Sequence, residues 1–132
     1  MDKHELIRHA MLARENSYVP YSSFAVGAAL LTASGRVYSG CNIESASYSP
    51  TCCAERTAFF KAVSEGERKF SAIAIVGAPK GSTPDSPCYP CGVCRQVMSE
   101  FCDDSFKIIL CAGESEIEEL TLSELLPKRF KL

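Results

Sequence analysis

Phe70-Ser71-Ala72-Ile73-Ala74-Ile75-Val76 is a short, nearly continuous apolar run. It lacks the in-and-out alternation of a half-exposed strand and is typical of one buried on both faces. Phe106-Lys107-Ile108-Ile109-Leu110-Cys111 is another such strand. Between them lie a loop rich in Pro, Gly and Ser, from Ala78 to Pro90, and a short helix expected from Cys91 to Phe101. Pro90 stands at or next to the first helical position, where a missing N–H does no harm.

Working outward, residues Asp2 to Ser17 form an amphipathic helix with Asp2 as N-cap and Leu6, Ile7, Ala10, Met11, Leu12 and Ala13 on its apolar face. Val19-Pro20-Tyr21-Ser22 breaks it. Phe24 to Leu31, the turn at Ser34-Gly35 and Arg36 to Cys41 make an antiparallel hairpin. Cys53 to Ser64 repeats apolar residues at helical spacing, and Gly66 stops it. Gly113-Glu114-Ser115 turns the chain into a strand at Ile117 to Thr121, and Leu122 to Leu126 makes a last helical turn before Pro127. The order α-β-β-α-β-α-β-β-α implies an α/β fold with a mixed five-stranded sheet and helices on both faces. Only a few residues separate the last two strands, so they are expected antiparallel. With no repeat, low-complexity tract or linker, residues 1–132 read as a single domain.

A net charge of −2, with no run of Lys or Arg longer than a pair such as Lys128-Arg129, argues against a phosphate-tracking surface and favours a small uncharged partner over nucleic acid. No stretch has the pattern of a signal peptide or the length to span a membrane, so the chain is read as cytoplasmic. Eight cysteines then need an account. A disulfide framework is one reading, but it fits poorly with a reducing compartment and with long periodic segments. Metal ligation by some, with buried thiols for the rest, is the other.

Cys91 and Cys94 form a C-x-x-C at a helix start, on one helical face, so two thiolates can converge on one ion. Cys53-Ala54-Glu55 opens the earlier helix. Both helix starts are expected at the end of the sheet where sites of open α/β folds gather, with helix dipoles favouring thiolates. Three protein ligands leave a tetrahedral zinc one open position, the mark of a catalytic site. Cys52 or Cys88 could instead close a structural site of four cysteines. Glu55 is too close to Cys53 to share the ion comfortably, yet near enough to reach a water beside it.

Cys53-Ala54-Glu55 followed by Pro90-Cys91-Gly92-Val93-Cys94 resembles the H/C-x-E…P-C-x-x-C signature of zinc nucleobase deaminases. The stretches Pro20-Tyr21-Ser22-Ser23-Phe24-Ala25-Val26-Gly27-Ala28-Ala29, Gly40-Cys41-Asn42-Ile43-Glu44, Cys53-Ala54-Glu55-Arg56-Thr57-Ala58 and Cys94-Arg95-Gln96-Val97, with Leu125-Leu126-Pro127 and Phe130, are similar to the small homotetrameric cytidine deaminases. The resemblance spans essentially the whole chain.

It implies a three-layer α-β-α fold and hydrolysis of cytidine and 2′-deoxycytidine in pyrimidine salvage. One zinc per chain would be held by Cys53, Cys91 and Cys94, with Glu55 as the proton carrier. Arg56, and less directly Arg95, would offset the thiolate charge. Phe24 and Ala54 would line the base and Asn42 and Glu44 read the sugar. Tyr48 and Phe130 would reach a neighbouring subunit's site, making a homotetramer part of function. Departures cluster beside the base: Tyr89 stands where Ser is common, behind an additional Cys88, in a long Ala78–Tyr89 loop. Cys52 is an extra thiol beside a ligand. Modified nucleosides or nucleoside antibiotics are the competing substrates within the same chemistry. A non-catalytic zinc module or a dithiol redox protein would leave Glu55 unexplained.

Overall fold

The elements run α1 (Lys3–Arg14), β1 (Phe24–Thr32), β2 (Val37–Cys41), α2 (Ala54–Ser64), β3 (Phe70–Pro79), α3 (Gly92–Phe101), β4 (Lys107–Gly113), β5 (Glu116–Thr121) and α4 (Leu122–Leu125). This is the order expected, seen in a computed structural model that describes residues 1–113 and 116–132. The turn expected at Gly113-Glu114-Ser115 falls partly on residues 114–115, outside the described residues.

The five strands form one sheet in the order β2-β1-β3-β4-β5. β3 and β4 pair in parallel, while β1–β2, β1–β3 and β4–β5 are antiparallel, so the sheet is mixed and its last two strands run as expected. The unbroken apolar run of β3 has its reason here. Ile73 and Ile75 join one core with Ala58, Phe59 and Met98 of α2 and α3, whereas Ala72, Ala74 and Val76 join a second with Leu6 and Ala10 of α1. Ile108 and Leu110 of β4 face the first core and Ile109 and Cys111 the second. The result is three layers, with α1 on one face and α2 with α3 on the other.

Several boundaries differ from the sequence reading, each for a local reason. β3 extends to Pro79 because Ala78 and Pro79 pair with Ala25 and Phe24, so the loop begins two residues later than expected. α1 stops at Arg14, and Glu15, Asn16 and Ser17 follow it in tighter turns onto the carbonyls of Leu12, Ala13 and Arg14. Asp2 caps α1 by accepting from the Glu5 N–H at 3.0 Å. Cys53 and Cys91 are not helical residues but N-caps, with extended backbone at ψ 155° and 170°. A side chain at the N-cap position sits at the mouth of its helix, which is where two thiols from different helices can meet.

Gly40 sets how closely that arrangement can pack. A Cβ there would lie 2.6 Å from both the Ala54 carbonyl oxygen and the Ala58 nitrogen. Only glycine lets the first turn of α2 rest directly on β2.

Candidate metal centre and active site

The thiols of Cys53, Cys91 and Cys94 converge at the N-termini of α2 and α3, their sulfurs all within 4.8 Å of one another. A tetrahedral zinc with Zn–S distances of about 2.3 Å requires thiolates about 3.8 Å apart. The Cys53 and Cys91 sulfurs stand 3.8 Å apart. Cys91 also accepts from the Cys94 N–H at 3.5 Å, a helix-start donor aimed at sulfur. The donor set and its spacing therefore fit zinc. Among the described residues no other group of three His, Cys, Asp or Glu gathers in this way.

The two candidate fourth ligands lie outside the group. The Cys52 sulfur accepts from the Thr57 hydroxyl at 3.6 Å. Cys88 fills the space beside Gly77, where a Cβ would come within 2.7 Å of its sulfur. Burial pushes the Cys88 thiol up to about 11, which keeps it protonated. All eight cysteines are free thiols, so no disulfide framework is present.

Electrostatics single out one of the three sulfurs as a thiolate. The Cys53 thiol falls to about 5, first because the neighbouring Cys94 thiol donates to it, with Arg56 assisting against the opposing effect of burial. Cys94 moves the other way, raised by the same contact and by its own burial. Arg56 donates Nη2 to the Cys53 sulfur at 3.3 Å, and its Nε is buried with no hydrogen-bond partner among the described residues. The guanidinium is thus aimed at thiolate charge.

Glu55 lies on the first turn of α2, only 4% exposed. Burial first, and the Cys53 charge further, push its carboxyl up to about 7. A carboxyl in that range can hold a proton or release one near neutral pH. Ala54 between them is fully buried in the α2 core face.

The other expected site residues occupy distinct places. Asn42 donates Nδ2 to the Phe24 carbonyl and accepts at Oδ1 from the Val26 N–H, both at 2.9 Å, so its amide braces β1. Glu44 accepts from the Tyr21 and Ser22 N–H groups at 3.1 Å and from the Ser22 hydroxyl. Its carboxyl is held below the usual range, chiefly by that hydroxyl. Phe24 is half exposed, with its ring edge 3.0 Å from where a Gly77 Cβ would stand. Arg95 turns to the carbonyls of Pro90 at 2.8 Å and Leu125 at 2.7 Å, so it braces the turn before Cys91 and its hydrogen bonds do not go to a thiol. Tyr48 is 89% exposed and Phe130 66%, two aromatic rings left uncovered by their own chain.

Two participants escape a motif-based reading. Ser22 links Glu44 to Phe24, donating to the carboxylate while accepting from the Phe24 N–H at 3.0 Å. Arg14 is buried beside the start of β1, and its spacing from Leu6 and Ala10 is the signal that places it on the core face of α1.

Residues 1–110 match the family model described as cytidine and deoxycytidylate deaminase zinc-binding region. A cytidine deaminase from Sporosarcina psychrophila is 53% identical over 130 residues, covering 98% of this chain and 92% of the relative. One from Halalkalibacterium halodurans is 54% identical over 130 residues, covering 98% and 95%. The crystal structure of cytidine deaminase from Burkholderia pseudomallei superposes with a TM-score of 0.89 at 45% identity, over 98% of this chain and 100% of that one.

Proposed function

The chain belongs to the cytidine and deoxycytidylate deaminase family, and from that premise we propose that it hydrolyses cytidine and 2′-deoxycytidine to uridine and 2′-deoxyuridine. Water is consumed and ammonia released, in a step of pyrimidine salvage in the cytoplasm. The observation that carries this reading is the meeting of three thiols at two helix mouths beside the buried carboxyl of Glu55.

Cys53, Cys91 and Cys94 would hold one zinc per chain. Zinc in a three-ligand site supplies Lewis-acid activation of water near neutral pH. Glu55 takes one proton from the attacking water and gives it to ring N3, then takes the second from the hydroxyl so formed at C4 and gives it to the amine as the C4–N bond breaks and the carbonyl forms. Its raised carboxyl suits a group that must act as base and then as acid. Arg56 offsets the surplus negative charge of three thiolates. Phe24 and Ala54 border the pyrimidine. Asn42 and Glu44, the latter held by Ser22 from another stretch of chain, supply the sugar-reading groups, an amide and a carboxylate that can each bond a further hydroxyl. The exposed rings of Tyr48 and Phe130 suit contact with the pockets of neighbouring copies in a homotetramer.

Purified, zinc-loaded protein should convert both nucleosides, followed as the loss of cytosine absorbance with equimolar ammonia release. It should elute at the size of four chains. Failure to deaminate either nucleoside would overturn the functional reading, and a fully active monomer would remove the roles given to Tyr48 and Phe130.

A further inference from the structure

Arg14 is buried and cationic, and neither metal binding nor proton transfer uses it. Only 9% of the residue is exposed. Its Nε donates to the Ala25 carbonyl at 2.9 Å, and Nη2 reaches the carbonyls of Ala78, Pro79 and Ser82 at 3.1, 2.9 and 2.9 Å. No carboxylate pairs with it among the described residues. A charge taken out of water with only neutral acceptors is costly to place, and here four backbone carbonyls meet it at Nε and Nη2. Those acceptors come from three pieces of chain: the start of β1, the end of β3, and the loop that goes on to Cys88 and Cys91.

The same stretch of β1 is held from the other side. Asn42 takes the Phe24 carbonyl and the Val26 N–H while Arg14 takes the Ala25 carbonyl between them. Three consecutive residues are thus fixed by side chains as β1 passes the site. Gly77 follows Ile73 and Ile75 on the face that carries α2 and α3, and Phe24 and Cys88 meet beside it. Arg14 grips the neighbouring backbone from α1, on the opposite face.

We propose that Arg14 is a positioning residue for the substrate pocket, fixing the β1–β3 end so that Phe24 and the Cys88–Pro90 stretch present one wall to the base. This rests on the deaminase reading above. Glu55 and Cys53 ride on α2, seated independently on Gly40, so Arg14 governs how the base is held and not the proton transfer. An interaction made equally with substrate and transition state appears in KM and leaves kcat alone.

The test compares wild type, Arg14→Met and Arg14→Lys, each zinc-loaded, for kcat and KM with cytidine, zinc content and Tm. Arg14→Met should raise KM about tenfold with kcat within about threefold of wild type and zinc unchanged. Lysine keeps the charge but not the planar fork, and should fall between the two. Wild-type KM in Arg14→Met, with only Tm lowered, would show a purely structural residue and overturn the proposal; so would kcat falling with KM unmoved. If Arg14→Met does not fold, Arg14→Lys decides: a raised KM at wild-type kcat supports the role, and a wild-type KM overturns it. A wild type that leaves cytidine untouched would instead overturn the functional reading beneath it.

Discussion

Replacing Glu55 by Gln should lower kcat with cytidine by about a thousandfold or more while leaving about one zinc per chain. Glutamine matches glutamate in size and can still hydrogen-bond, so the buried first turn of α2 keeps its packing. What it loses is the ability to take up and hand on a proton. The native side chain is suited to that task because burial, with the Cys53 charge beside it, lifts its carboxyl to about 7. Zinc should stay because Glu55 lies outside the converging thiol set. Metal analysis and steady-state kinetics on the same preparation check both halves. Undiminished turnover in the variant would remove Glu55 from the mechanism.

Replacing Cys94 by Ala should be as severe, for a different reason. Cys94 is the buried member of the three, on the first turn of α3, and two remaining thiols cannot define a tetrahedral site. Zinc should fall to about a tenth of an equivalent or less, and turnover should disappear with it. The helices and sheet should persist by circular dichroism, since the two hydrophobic cores do not depend on the metal. Tm should fall by about 10 °C or more, because binding at a thousandfold excess over Kd contributes about 4 kcal/mol to the native state. Full zinc occupancy in this variant would mean that Cys94 is not a ligand.

Much of this is legible in the sequence. The apolar run at Phe70–Val76 points to a strand buried on both faces, and the alternation of helices and strands to a mixed sheet, while the parallel pairing of β3 with β4 is seen only in the structure. The C-A-E and P-C-x-x-C spacings pointed to the metal centre, because residues fixed at the starts of two helices need little tertiary context to be located. What stayed hidden depends on long-range packing. Cys88 could be a fourth ligand or a core thiol until Gly77 shows the notch that receives it. Arg95 looked like a partner for thiolates, yet the carbonyls of Pro90 and Leu125 capture it. Asn42 and Glu44 brace the backbone of Phe24, Val26, Tyr21 and Ser22, which spacing alone does not reveal. Arg14 makes its contacts with residues far along the chain, and only its place in line with Leu6 and Ala10 hinted at burial.

The central claim is an open site of three thiolates, and zinc K-edge X-ray absorption on the purified protein tests it most directly. The expected spectrum shows three sulfur neighbours at about 2.3 Å and one lighter atom completing the shell. A shell of four sulfurs would contradict the account, since it would leave no position at which the water beside Glu55 could be activated.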